Sequence, residues 1–208
     1  YQVFDCADLK QLDDVFSGVV DEFAAPDVFI NCSYPRTDDW GESSFQKVTL
    51  ESFRENIDIH LNSHAWLARL AAESMKAHAR PGSIIQLGSI YGLLGQDLTV
   101  YEGTKMRENM TYAAIKGGIA NLTRQMGSYY GQFNIRVNTL VPGGLSGHVA
   151  GKTDPQNSLF VKRYSEKTPL KRLGRADEIA STALFLAAEA SSYVTGATVV
   201  VDGGWSAV

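Results

Sequence analysis

The sequence predicts an α/β fold with a doubly wound, mostly parallel sheet, and three observations carry that expectation. Short β-branched or fully apolar runs alternate along the chain with longer segments whose apolar residues step by three and four. Such alternation calls for parallel pairing, right-handed crossovers and helices on both faces of one sheet. The 208 residues show no internal repeat and no low-complexity linker, so a single domain over 1–208 is expected.

The elements are taken in chain order. A helix is expected over Asp8–Phe23, where Leu9, Leu12, Val15, Phe16, Val19, Val20 and Phe23 form one apolar stripe; Asp8 with Gln11 resembles a capping box at its start. Val28-Phe29-Ile30, after Pro26, reads as a buried strand, and the polar stretch Tyr34–Glu42 as a loop. Thr49 opens a second helix in which Leu50, Phe53, Ile57, Leu61, Ala65, Ala68 and Met75 share a face, and Arg80-Pro81-Gly82 stops it. Ser83–Leu87 is the next strand. A third helix runs from about Tyr112 to Tyr130, with Ile115, Ile119, Leu122, Met126 and Tyr129 aligned. Ile135–Val141 is a further strand, closed by Pro142-Gly143-Gly144. Asn157–Lys167 and Ala176–Ala188 read as helices, and Thr198–Val201 as the last strand, before Asp202-Gly203-Gly204.

Composition narrows the class of function. Hydrophobic residues make up 44% and charged residues 20%, as in ordinary globular proteins. Nineteen Lys and Arg against 23 Asp and Glu leave a formal charge of −4, which argues against a surface built to neutralise nucleic-acid phosphates. The most apolar stretch, Ile179–Ala188, carries Ser181 and Thr182 and is too short to span a bilayer. The first ten residues lack the basic and apolar regions of a signal peptide. Cys6 and Cys32 have no C-x-x-C spacing and suggest no disulfide framework. A soluble cytoplasmic protein is expected, with no nucleic-acid, membrane or metal partner.

Ligands of doubly wound sheets sit beyond the carboxyl ends of the strands, where Asn31, Ser89 and Pro142 fall. Tyr112 and Lys116 lie four apart at the start of a helix, hence on one face and one turn apart. An ammonium beside a phenol favours the phenolate, lowering the tyrosine pKa from its usual value of about 10. Tyr112 is thereby a candidate proton donor and acceptor for alcohol–carbonyl interconversion, and Ser89 a candidate to hold the substrate oxygen.

The run GSIIQLGSIYG, then YAAIKGGIANLTRQM, then NIRVNTLVPGG, then PLKRLGRADEIA with VTGATVVVDGGW resembles the short-chain dehydrogenase/reductase family, in the family's order and over nearly the whole chain. The resemblance implies a Rossmann-like sheet, NAD or NADP as cofactor, and Tyr112 as general acid/base. It also implies that Lys116 binds the nicotinamide ribose and tunes Tyr112, and that Ser89 holds the substrate carbonyl. Pro142, Gly143 and Leu145 fall in the family's cofactor turn, and Asn31 keeps the first position of its N-N-A-G tract. A second pair, Tyr101 and Lys105, has the same spacing and lies closer to Ser89. The next five residues after Lys105, Met-Arg-Glu-Asn-Met, lack an apolar stripe, whereas Tyr112 opens an amphipathic helix. Tyr112 is therefore preferred, and Asp97–Thr111 becomes an insertion that forms part of the substrate wall.

The chain departs from the family pattern in several places. Nothing matches the initial strand and Gly-rich turn that receive the pyrophosphate. Tyr1–Asp5 instead resembles the family's third strand, so that Asp5 and Cys6 are expected at the adenine, and an N-terminal segment of several tens of residues is expected to be missing. Tyr34 replaces a Gly of the N-N-A-G tract and reads equally as loop packing or substrate contact. His60 stands where many members carry an Asn that anchors a relay water; it reads either as a water-holding or proton-relaying imidazole or as a core histidine. Gly147 occupies the position of a cofactor-binding Thr, leaving backbone near Leu145 or the Ser146 hydroxyl as substitutes.

The expected function is that of an NAD(P)-dependent oxidoreductase interconverting a secondary alcohol and a ketone on a small, polar substrate. The segment YEGTKMRENMTYAAIKGG also resembles members linked to bacterial surface-sugar and flagellin-glycan pathways, which implies a sugar-like substrate. The alternative is a nucleotide-sensing or regulatory protein without turnover. The resemblance implies a homodimer or homotetramer through the helices Leu50–Met75 and Tyr112–Tyr130, with Trp66 and Tyr129 as anchors.

Overall fold

The computed structural model describes residues 3–147 and 156–208. Four strands, β1 (Val28–Asn31), β2 (Gly82–Leu87), β3 (Ile135–Pro142) and β4 (Thr198–Val201), form one parallel sheet in the order β1-β2-β3-β4. The register pairs Ile30 with Ile85, Ile85 with Asn138 and Leu140 with Val199. Successive side chains of a strand point to opposite faces, and β2 shows the result. Ile84 packs with Ala68, Ala71, Met75, Met126 and Tyr130, whereas Ile85 packs with Leu140, Ile179 and Leu186. Helices α3 (Ser63–Ala77) and α4 (Met110–Tyr130) therefore cover one face and α6 (Ala176–Ala187) the other, the doubly wound arrangement that the alternating pattern predicts.

Most elements begin and end where their sequence signals lie. The Thr49 hydroxyl accepts from the Ser52 amide at 3.1 Å and caps α2 (Leu50–Asn56). Asn157 caps α5 (Ser158–Lys167) by accepting from Phe160 at 3.0 Å. Four differences stand out. Helix α1 (Leu12–Phe23) starts later than its apolar stripe because the Asp8 carboxylate binds the Gln11 side chain at 2.5 Å, holding 8–11 in a turn instead of a capping box. The helix expected from Leu50 to Met75 is interrupted by a π-helical segment over Ile57–Asn62, a local feature common at functional sites. Residues 3–5 form no strand. Finally, β1 pairs with β2 alone and is an edge strand of the described sheet, so Val28 and Ile30 are 38% and 41% exposed and not buried as expected. Among the described residues no helix is long and apolar enough to cross a membrane.

Segment 97–111 is held by aromatic packing beyond the carboxyl end of β3. Tyr101 stacks on Phe160 at 5.9 Å, and Tyr164 stacks on Trp205 at 4.1 Å. Val100, Tyr101, Tyr164, Leu173 and Trp205 form one buried cluster with Ile90 and Val141.

Candidate active site

Three elements converge on Tyr112. Strand β2 delivers Ser89, which is buried and begins a short 3-10 turn, its hydroxyl accepting from the Tyr91 amide at 3.2 Å. That turn lies directly on α4: a Cβ at Gly92 would sit 2.5 Å from the Lys116 carbonyl carbon and 2.6 Å from its oxygen. Only glycine allows so close an approach, and the approach brings Ser89 to the phenol of Tyr112. Lys116, one turn further along α4, is buried and donates to the Leu87 carbonyl at 2.9 Å. Its ammonium lies 5.8 Å from the ring centres of both Tyr112 and Tyr34.

An aromatic wall encloses this group. Tyr34 and Trp40 present their rings edge to face against Tyr112, at 6.2 and 6.1 Å, and against each other at 5.9 Å. Behind them His60 lies 5.1 Å from Tyr34 and 5.2 Å from His64. Both imidazoles are fully buried. The Nε2 of His64 bonds the Ser33 carbonyl at 3.0 Å, whereas neither ring nitrogen of His60 completes a well-formed hydrogen bond.

The electrostatics follow from dryness. Burial pushes the Tyr112 phenol above its ordinary value, and hydrogen bonding to Ser89 opposes that rise. This corrects the expectation that the neighbouring ammonium lowers it: burial dominates, Tyr101 adds to the rise, and Ser89, not Lys116, is the group that opposes it. Desolvation likewise lowers Lys116 to about 8, so most of its charge survives at neutral pH. Burial, then the Lys116 and His64 charges, depress His60 to about 2; burial and Lys116 bring His64 to about 4. His60 thus stays neutral across the physiological range, and any relay through it passes through neutral tautomers.

The structure brings Ser89, Tyr112, Lys116 and His60 together and sets Asn31 nearby at the end of β1. The side-chain Oδ1 of Asn31 accepts from the Ser33 amide and hydroxyl at 3.0 and 2.7 Å, and its buried Nδ2 has no partner. Pro142 ends β3, and the Gly143 amide donates to the Val201 carbonyl at 3.0 Å. A Cβ at Gly144 would meet the Tyr164 ring at 2.7 Å, and the Gly144 amide donates to the Tyr164 hydroxyl at 2.7 Å. The Leu145 carbonyl accepts from Gln156 at 2.8 Å, and the Ser146 hydroxyl donates to the Gly174 carbonyl at 3.0 Å. Asp5 and Cys6 are not drawn into the cluster; Asp5 is exposed and accepts from the Ala7 amide at 2.9 Å. Tyr101 is buried, accepts from Gln96 at 3.1 Å and belongs to the aromatic packing of segment 97–111. Trp40 and Asn109 escaped sequence reasoning. The Asn-x-x-Tyr spacing ahead of α4, a capping signal, would have revealed the latter.

Comparison with known proteins agrees with this architecture. Residues 2–206 match a family profile described as enoyl-(acyl carrier protein) reductase. Post-translational flagellin modification protein A of Campylobacter coli is 31% identical over 201 residues, covering 97% of this chain and 75% of that protein. The L-rhamnose 1-dehydrogenase (NAD(P)(+)) of Azotobacter vinelandii is 29% identical over 204 residues, covering 96% and 72%. A crystal structure of a short-chain dehydrogenase from Leptospira borgpetersenii with bound NAD+ superposes with a TM-score of 0.84 at 30% identity, covering 97% of this chain and 73% of that one. Likeness that extends from end to end of the chain, in sequence and in structure alike, makes the protein a member of the short-chain dehydrogenase/reductase family of NAD(P)-dependent oxidoreductases.

Proposed function

We propose that the chain interconverts a secondary alcohol and a ketone on a polar, sugar-like small molecule, with NAD or NADP as hydride partner and Tyr112 as general acid/base. The observation that carries this reading is the buried Lys116 ammonium, fixed on the Leu87 carbonyl at 2.9 Å and 5.8 Å from the Tyr112 ring centre, with the buried Ser89 on the turn that Gly92 presses against α4. Ser89 holds the substrate oxygen. In the reducing direction the Tyr112 phenol, kept protonated by burial, donates to the carbonyl oxygen. In the oxidising direction the phenolate takes the alcohol proton, its charge balanced by Lys116. A nicotinamide held there would supply the hydride acceptor or donor that the substrate carbon needs.

The residues present fit such a nucleotide. Asn31 offers a buried amide nitrogen without a partner at the end of β1, Lys116 an ammonium for ribose hydroxyls, and Pro142, Gly143 and Leu145 a backbone turn at the end of β3. Asp5 and Cys6, outside this cluster, flank the adenine end of the nucleotide in this reading. Neutral His60 serves as a water-holding imidazole. The flagellin-modification and rhamnose-dehydrogenase relatives support the sugar-like substrate class. Trp66 and Tyr129, 41% and 47% exposed, are the anchors in a homodimer or homotetramer of a cytoplasmic protein.

The test is a screen of aldoses and polyols with NAD and NADP, read as reduced-nicotinamide absorbance, for the wild type and Tyr112→Phe. Loss of the proton carrier lowers kcat by about 10²–10⁴-fold, while nucleotide affinity is retained. Nucleotide binding without turnover on any member of the panel overturns the enzymatic reading in favour of a nucleotide sensor.

A further inference from the structure

Two side chains outside the Ser89–Tyr112–Lys116 group connect it to segment 96–109. Gln96 donates through Nε2 to the Tyr101 hydroxyl at 3.1 Å and accepts through Oε1 from the Asn109 amide at 2.7 Å. One glutamine thereby closes the segment at its base. Asn109 is the N-cap of α4: its backbone is extended, and its Oδ1 accepts from the Tyr112 amide at 2.7 Å. The same side chain donates through Nδ2 to the Trp40 carbonyl at 3.2 Å. Around it the Met110 amide donates to the Ser43 carbonyl at 2.9 Å, and the Phe45 amide to the Glu108 carboxylate at 3.3 Å.

A capping side chain fixes where a helix begins, and so the azimuth of the side chains in its first turn. Tyr112 is the third residue of α4, and its own amide is the one that is capped. Of the two rings that stand against it, Tyr34 and Trp40, the latter lies at 87° to it, and the same asparagine holds the Trp40 carbonyl. The cap itself needs only a side-chain oxygen, which Ser or Asp also supplies; the Nδ2 contact to the Trp40 carbonyl adds to it.

We infer that Asn109, itself held by Gln96, is a positioning residue that sets the direction in which the Tyr112 phenol meets Ser89, joining the 96–109 segment and the Trp40 loop to the proton carrier. The inference rests on the acid/base role of Tyr112.

The test uses the full chain as wild type, Asn109→Ala, Asn109→Ser, Gln96→Ala and Tyr112→Phe. Steady-state constants are measured with the sugar or polyol that the panel selects, alongside Tm and the tyrosinate absorbance titration, taken as the difference from Tyr112→Phe. Asn109→Ala is expected to lower kcat by about 100-fold through misplacement of the phenol, with the nucleotide KM unchanged. Its Tyr112 titration moves to higher pH, because the Ser89 hydrogen bond that lowers it is lost. Asn109→Ser, which keeps the capping oxygen, restores both the rate and the titration. If Asn109→Ala does not fold, Gln96→Ala carries the test, with a smaller loss in kcat and the same upward titration. A wild-type kcat and titration in Asn109→Ala overturns the inference, as does a loss that Asn109→Ser leaves unrepaired. A wild-type rate in Tyr112→Phe instead removes the acid/base reading itself, so the two failures are distinguishable.

Discussion

The ammonium of Lys116 donates to the main-chain carbonyl of Leu87 at 2.9 Å, anchoring a helix side chain at the carboxyl end of β2. From there its charge reaches the Cys32 thiol, which burial raises and Lys116 pulls down. This offers a check on the lysine's position that needs no turnover. Replacing Lys116 by Met removes the charge and keeps most of the apolar stem. The Cys32 thiol then rises further, and since the thiolate is the reactive form, its alkylation by iodoacetamide near neutral pH slows several-fold relative to Cys6. Mass spectrometry of the two thiols after short pulses gives the ratio. An unchanged ratio would separate Lys116 from the end of the first strand.

The two Tyr-x-x-x-Lys pairs make opposite predictions. Tyr101 is buried against Phe160 and accepts from Gln96, so its hydroxyl has a structural use. Tyr101→Phe loses one hydrogen bond, worth about 1 kcal/mol, and lowers Tm by a few degrees while turnover falls no more than a few-fold. Tyr112→Phe does the reverse. Melting curves and initial rates of the two proteins decide between them, and abolished turnover in Tyr101→Phe alone would transfer the acid/base role to Tyr101.

Gly92 sets the spacing between the Ser89 turn and α4. Gly92→Ala drives a methyl group to 2.5 Å from the Lys116 backbone, where there is no flexible side chain to give way. Overpacking of this kind costs about 1–3 kcal/mol, and at roughly 2–4 °C per kcal/mol for a chain of this size the melting point falls accordingly. The damage is not confined to stability: the turn lifts away from α4 and takes Ser89 with it, so kcat falls as well. By contrast, Gly18→Ala, in the interior of α1 where nothing lies within 4 Å of the added methyl, raises stability by about 0.5–1 kcal/mol and leaves kcat unchanged.

The sheet and its helices were legible because each depends on local periodicity. The stripe of Ile115, Ile119 and Met126 needs only a 3.6-residue repeat, and the run Thr198–Val201 only β-branched side chains. The Ser89, Tyr112 and Lys116 group was legible through motif order. Features that stayed hidden depend on partners distant in sequence or on single side-chain bonds. The sign of the Tyr112 shift is set by burial under Tyr34 and Trp40, not by the lysine four residues away. The delayed start of α1 turns on a side-chain bond between Asp8 and Gln11, and the π-helical segment around His60 leaves no mark in the spacing of Phe53, Ile57 and Leu61.

His60 and His64 give the fold a pH dependence of known direction. Both are fully buried, and burial with the Lys116 charge holds them at about 2 and about 4. An unfolded histidine titrates near 6.5, so as pH falls below about 6.5 the unfolded chain takes up protons that the folded chain refuses. Each histidine then lowers stability by about 1.4 kcal/mol per pH unit. The loss continues to about pH 4 for His64 and about pH 2 for His60, and neither contributes above about pH 6.5. Depressed carboxylates such as Asp39 and Asp97 add to the loss only at lower pH, so the interval between about 6.5 and 5 belongs to the imidazoles. Urea midpoints across that interval are expected to fall with pH in the wild type and to flatten in a protein carrying both His60→Phe, which suits the aromatic surroundings, and His64→Gln, which keeps a donor for the Ser33 carbonyl. A slope that survives both substitutions would mean that the imidazoles take up protons in the folded chain as readily as in the unfolded one.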